Sequence, residues 1–310
     1  MRLCLIAAAA ALLLAAPAHA SEPLSDRNVK QPTLAVNKKG EALVTYTTPA
    51  GKLRRVLVWD AINALIPSPT LPQVRFKYDY AGGWGKYRKQ YWKSFGMACG
   101  RYDGPELVHK VVACKAPDGS YWALQAWQRN LPLLGLDPFK PEHDDWELHV
   151  SHWSGPMADL EVFTNWTYGG DAQGVFGRFT YLGQPVHGFG STAVGNPKDR
   201  YDRNVYIDTY NSAHGDGWKR ESGILVHRPT GTFCHSFVPQ KQFPGYPSPG
   251  AIRPAAPGER YRVTVMGPGV TPVVEVEVKG LGRFDAERDE EIDERFDEVM
   301  AGDTICKGER

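Results

Sequence analysis

Beyond residue 20 the chain has no apolar run approaching the ~18 residues that a membrane-spanning helix needs. It has no Cys-x-x-Cys pair, no His-Glu-x-x-His and no Gly-x-Ser-x-Gly. These absences remove the commonest zinc spacings, the zincin signature and the nucleophile elbow of α/β-hydrolases. Gly82-Gly83-Trp84-Gly85-Lys86 has the look of a phosphate loop, but Tyr87 follows the lysine and the spacing is wrong. No self-similarity with a period of 20–50 residues points to a propeller or solenoid. The sequence therefore assigns no cofactor and no metal. An excess of one charge is also missing: 36 Lys+Arg stand against 35 Asp+Glu in 310 residues. That balance argues against non-specific nucleic-acid binding.

What is present starts with Met1–Ala20, where one charge (Arg2) precedes an apolar stretch and Ala18-His19-Ala20. This pattern predicts a cleaved export signal over residues 1–20 and a secreted or periplasmic protein. The remaining 290 residues hold 35 basic and 35 acidic side chains, 55 Gly plus Pro, and 35 aromatics. Turn formers at that density, between β-branched and aromatic runs, predict an all-β chain. About a dozen strands are expected, arranged as an antiparallel two-sheet sandwich or jelly-roll-like body with a C-terminal acidic α-helix. The runs 42–48 and 53–60 flank Pro49-Ala50-Gly51, and 106–114 and 120–127 flank Pro117-Asp118-Gly119; both pairs read as hairpins. The expected organisation is an N-terminal hairpin region at 21–80, a main body at 81–284 and an acidic helical tail at 285–310.

The neutral total hides two opposite parts. Residues 285–310 carry 11 acidic and 4 basic side chains, and residues 21–284 carry 31 basic and 24 acidic. Ile292, Phe296, Val299 and Met300 recur at helical spacing in the tail and predict the face that docks on the body. Four cysteines remain after residue 20, an even number that suits two disulfides in an exported chain. Three connectivities are open; the expected one is Cys99–Cys114 with Cys234–Cys306. In the chain-entropy model these loops contribute about 3 and about 4 kcal/mol.

Three clusters could carry chemistry. In the run Glu142–His152, strand alternation puts Glu147, His149 and Ser151 on one face, with Trp146, Leu148, Val150 and His152 on the other. A hairpin through 154–158 would set Trp153 opposite Asp159 and Ser151 opposite Glu161. Glu147, His149 and Glu161 would then offer paired carboxylates and an imidazole for acid/base cleavage of a glycosidic bond, or a nitrogen and two oxygens for a divalent metal. The same alternation is also what the wet face of a half-buried strand shows, and His152 reads as a hydrogen-bonded core histidine. Second, Trp84, Tyr87, Tyr91 and Phe95 alternate with Lys86, Lys89 and Lys93. They suit an anionic polymer, or simply rings packed on a sheet under wet lysines. Third, Tyr206, Asp208 and Tyr210 share one strand face, and such rings stack on sugars when they are not core. The expected function is binding of a ligand at the cell envelope, a carbohydrate first. A glycan-cleaving enzyme and a non-catalytic structural or interaction protein are the alternatives. The expected partners are a glycan or an anionic envelope polymer, with no nucleic acid and no membrane span.

Overall fold

The computed structural model describes residues 21–60, 76–128, 146–181, 183–186, 204–212, 215–227, 230–237, 258–265 and 274–309. The proposed signal at 1–20 lies outside the described residues. The first strands are β1 (Ser21–Arg27), β2 (Lys30–Val36), β3 (Ala42–Thr47), β4 (Leu53–Asp60) and β5 (Phe76–Asp79). After the short helix α1 (Trp84–Tyr87) come β6 (Gly100–Arg101), β7 (Lys110–Lys115), β8 (Tyr121–Gln128) and β9 (Trp146–Trp153). They form two antiparallel sheets, ordered β2-β3-β4-β5 and β1-β9-β8-β7-β6. Alternating Val36, Val44, Val56 and Val58 from one sheet meet Trp122, Leu124, Leu148 and Val150 from the other, all close to fully buried. Each such side chain taken out of water is worth about 1.5–3 kcal/mol, and Cys114 of one disulfide lies in the same core. The core runs across residue 80, joining strands from 21–80 to strands as late as 153.

The chain then builds a second pair of sheets from β10 (Asp159–Thr167), β11 (Ala172–Tyr181), β12 (Gln184–Pro185), β13 (Asn204–Ser212), β14 (Gly215–Leu225), β15 (Thr232–Ser236), β16 (Arg260–Val265) and β17 (Val274–Lys279). In one sheet β11 pairs with β10, β12 and β15; the other has the order β14-β13-β16-β17. Val175, Phe179 and Phe233 of the first close on Val205, Ile207, Tyr261 and Val263 of the second. The fold is therefore all-β and antiparallel, with the sandwich arrangement occurring twice.

The tail forms α2 (Ala286–Val299). Asp285 caps it by accepting a hydrogen bond from the Arg288 amide at 3.0 Å, and Glu287 and Asp289 in the first turn complement the helix dipole. Ile292, Phe296, Val299 and Met300 pack on Phe163 and Phe176, on the side of the β10–β11 sheet away from the second core. Phe296 meets Phe176 edge-on at 5.0 Å between ring centres. Cys234 of β15 is joined to Cys306 just after the helix, and Cys99 to Cys114 of β7, each with 5.7 Å between Cα atoms. No helix among the described residues is long and apolar enough to cross a membrane.

One expected pairing is corrected. β9 and β10 do not form a hairpin. Both edges of β9 are occupied, by β1 and β8, and β10 pairs with β11. The five residues 154–158 instead carry the chain from one sandwich to the next: Met157 packs with Trp153 in the first, and Ala158 enters the core of the second. A short loop is compatible with either outcome, and the choice falls to whichever neighbours fill the strand edges.

Candidate functional site

The predicted two faces of β9 are present, but neither is wet. Leu148 and Val150 lie in the first core, and His152 stacks on Trp122 at 3.9 Å with its Nδ1 on the Asp60 carbonyl at 2.8 Å. On the other face Glu147, His149 and Ser151 are at most 5% exposed. That face continues onto β8, where Gln125 lies opposite His149 and Trp127 opposite Glu147. His149 lies 3.7 Å from the Trp127 ring, its Nε2 is 3.3 Å from a Glu147 oxygen, and Arg27 of β1 holds the other oxygen at 3.4 Å. Glu161 is not part of this group. It belongs to the second sandwich, between Arg178 and Arg295, each at 3.4 Å. The proposed catalytic pair Glu147/Glu161 is thus divided between two sheets that do not pair.

Trp127, the neighbour of Glu147 and His149, reaches the outer face of the second sandwich. Val205 and Ile207 of β13 point into that core, so Tyr206, Asp208 and Tyr210 point out of it. Tyr206 packs against Trp127. Asp208, fully buried, takes Arg262 at 3.1 Å; Arg262 also binds Glu275 at 3.0 Å, and Glu275 contacts His109 of the first sandwich. This chain of polar contacts crosses from one sandwich to the other through His109 and Glu275. Further out, Tyr210 and Trp218 lie 5.2 Å apart, and the Arg260 guanidinium covers the Tyr210 ring at 4.3 Å. Arg260 thus occupies one face of the Tyr210 ring. Tyr206, Asp208 and Tyr210 serve the junction and its rim.

Burial, reinforced by the positive charge of Arg262 and only partly offset by Asp208, lowers His109 from 6.5 to about 4. The folded protein therefore keeps this imidazole neutral while an unfolded chain would protonate it below about 6.5. The unfolded state binds the extra proton, so stability falls as the pH drops from about 6.5 toward about 4 and is unaffected by this group above 6.5. The expected loss is no more than roughly 3 kcal/mol, reduced because a quarter of the side chain meets water. Urea midpoints measured between pH 7.5 and 4 should show this slope, and His109→Gln should flatten it. An unchanged slope in the variant would assign the effect elsewhere.

The second predicted cluster has a different character. Asn37 turns the β2–β3 connection by accepting the amides of Lys39 (2.8 Å) and Glu41 (3.1 Å) on its side-chain oxygen. This delivers the Glu41 carboxylate, 5% exposed, into four donors: Lys86 Nζ at 2.7 Å, the Tyr87 hydroxyl, Asn37 Nδ2 at 2.9 Å and the Tyr91 hydroxyl at 2.9 Å. Burial alone would raise this acid; the four hydrogen bonds outweigh it and bring the carboxyl to about 2. Gly83 is required beside it. Its φ is +96°, and a Cβ there would meet Tyr91 Cβ at 2.7 Å. Glu41 thus pins the β2–β3 turn and the 81–95 segment together at one end of the sheet.

On this base Tyr87 stacks on Tyr91 at 4.1 Å, so both rings are structural, whereas Trp84 is 49% exposed. Lys38, Lys39, Arg88, Lys89 and Lys93 of the same two segments are also exposed, with Lys39 Nζ 5.3 Å from the Tyr87 ring and Lys89 Nζ 5.7 Å from the Tyr91 ring. No acid occurs between Asp79 and Asp103, and the Asp79 carboxylate is occupied by the amides of Ala81 and Lys86. Glu41, Asn37, His109, Trp127, Arg262 and Glu275 were not among the residues singled out from the sequence. The one signal for Glu41 was an acid directly after an Asn-Lys-Lys-Gly turn and before an apolar strand. The other members come from distant strands with nothing local to distinguish them. Comparison of the chain with family models, with curated proteins and with solved structures returns no match.

Proposed function

We propose that this is an exported, non-catalytic binding protein whose ligand is an acidic polysaccharide of the cell envelope, held on the face formed by residues 37–41 and 84–95. The observation that carries the reading is the exposed Trp84 and five exposed cations of the same two segments, with no acid free in the 84–95 segment and the whole anchored by buried Glu41. A rigid platform costs little ordering entropy on binding, and an indole next to ammonium groups suits a wet, negatively charged sugar. Export is supported by the pattern of residues 1–20 and by the two disulfides, which persist in oxidising compartments. A glycan-cleaving reading finds no support in the separated Glu147 and Glu161. Nor does the Asp208–Glu275 pair offer one, since Arg262 binds both.

Affinity electrophoresis in gels containing alginate, a polyuronate, should retard the protein, and neutral dextran should not. Trp84→Ala is expected to weaken alginate binding roughly 3- to 10-fold, the scale of one aromatic ring packed on a partner. Raising the salt from 50 to 300 mM should weaken the wild type more than that. Equal mobility in alginate and dextran gels would refute the proposal.

A further inference from the structure

Around the second disulfide four potential metal donors converge. His227 Nδ1, Asp303 Oδ2 and Cys306 Sγ all lie within 4.8 Å of one another. Nδ1 is 3.0 Å from Oδ2 and 3.7 Å from Sγ, and the Cys234 sulfur is bonded to that of Cys306. A tetrahedral zinc ion with bonds of about 2.0 Å to N and O and about 2.3 Å to S has N···O edges near 3.3 Å and N···S edges near 3.5 Å. Both observed separations are within a few tenths of an ångström of those edges. The sulfur–sulfur edge must open to about 3.8 Å, which a side-chain rotation at one cysteine supplies once the bond is broken.

The surroundings are those of a closed site. The Asp303 side chain is 1% and His227 19% exposed, and Cys306 is fully buried. The second carboxylate oxygen, Oδ1, accepts the amides of Ile305 at 2.7 Å and Cys306 at 2.8 Å, which fixes its plane. The Thr232 hydroxyl donates to Oδ2, and Thr230 lies 3.4 Å from it. These are outer hydrogen bonds of the kind that orient a ligating carboxylate. Capping the 303–306 turn explains the contacts of Oδ1. It does not explain why an imidazole and two sulfurs meet at Oδ2.

We infer that the reduced chain binds one zinc ion through Cys234, Cys306, His227 and Asp303, and that formation of the Cys234–Cys306 disulfide expels it. In the forward direction a dithiol gives two electrons and two protons to the disulfide and becomes a disulfide itself. Zinc then displaces the two thiol protons and takes the place of the proton on His227 Nδ1 that faces Asp303 Oδ2, which moves to Nε2 so that the imidazole stays neutral. In the reverse direction a disulfide-bearing exchange partner accepts the two electrons and the ion departs. Either bond closes the same 72-residue separation, so zinc would hold α2 and its tail docked before oxidation.

The test uses the chain from residue 21 onward, reduced with a water-soluble phosphine and titrated with Co²⁺. One equivalent should give the thiolate charge-transfer and tetrahedral ligand-field absorption of a two-sulfur site, bleached by Zn²⁺ and absent in the oxidised protein. The signal should survive Cys99→Ser/Cys114→Ser, vanish in Cys234→Ser/Cys306→Ser, and need at least tenfold more cobalt in His227→Ala or Asp303→Asn. One equivalent of Zn²⁺ should also raise the urea midpoint of the reduced wild type. No thiolate band in the reduced protein, a band unchanged by His227→Ala and Asp303→Asn, or a midpoint indifferent to zinc would each overturn the inference.

Discussion

Arg262→Met is expected to destabilise the protein by about 3–5 kcal/mol, read as a lowered urea midpoint with an unchanged fold by circular dichroism. Arg262 is 16% exposed and is the shared counter-charge of Asp208, which is fully buried, and of Glu275, at 6%. Removing it leaves two carboxylates in a low-dielectric junction without their guanidinium. The penalty is the desolvation of those charges, far more than the loss of a hydrogen bond. Removing the stranded charges as well should therefore recover most of it: Arg262→Met/Asp208→Asn/Glu275→Gln is expected within about 1–2 kcal/mol of the wild type. Wild-type stability in the single variant would mean that Asp208 and Glu275 do not depend on Arg262 as their counter-charge.

Glu41→Gln should cost about 3 kcal/mol and, separately, lower alginate affinity. An amide at this position puts an N–H₂ group among donors, where Lys86, Tyr87, Tyr91 and Asn37 all require an acceptor. The wild-type contribution has a defined pH window. The folded carboxyl lies near 2 and its ordinary value is 4.5. The stabilisation is thus complete above about 4.5 and is lost as the pH falls from there toward 2. The wild type and Glu41→Gln should converge in stability across that range, the opposite end of the acid limb from the His109 effect. Because Glu41 ties the β2–β3 turn to the 81–95 segment, the variant should also expose Tyr91 amides to hydrogen exchange earlier than those of the β3–β4 hairpin. Equal protection in variant and wild type would show that the segment is held by something else.

The parts of this fold readable from sequence are those where local chemistry is decisive. The hairpins β3–β4 and β7–β8 follow from Gly51 and Gly119, both at positive φ where a turn needs them. The helix follows from its apolar spacing and the Gly302 stop, and the cysteines pair in the expected one of the three connectivities that the sequence leaves open. β1 and β2 escaped because Pro23 and Pro32 interrupt their patterns; both strands tolerate proline at sheet edges. Much of β14 escaped because Gly215, Gly217 and Gly223 leave little alternation to see. The doubling of the sandwich was hidden at residues 154–158, where a hairpin-length loop does the work of a crossover. The same loop separated Glu147 from Glu161. The polar face of β9 was read as wet because polar side chains on alternate positions are the rule for exposed sheets. Here the second sandwich presents Tyr206, Asp208, Arg262 and Glu275 to that side of the first, and such a partner is written roughly 50 to 130 residues further along the chain.

The most direct measurement of the binding account is alginate affinity electrophoresis of Lys89→Glu/Lys93→Glu beside the wild type and beside Lys219→Glu, a charge change of the same sign on β14. Loss of alginate retardation in the double variant, with Lys219→Glu still retarded and all three proteins equally stable in urea, is the predicted result. Retardation unchanged by Lys89→Glu/Lys93→Glu would contradict it.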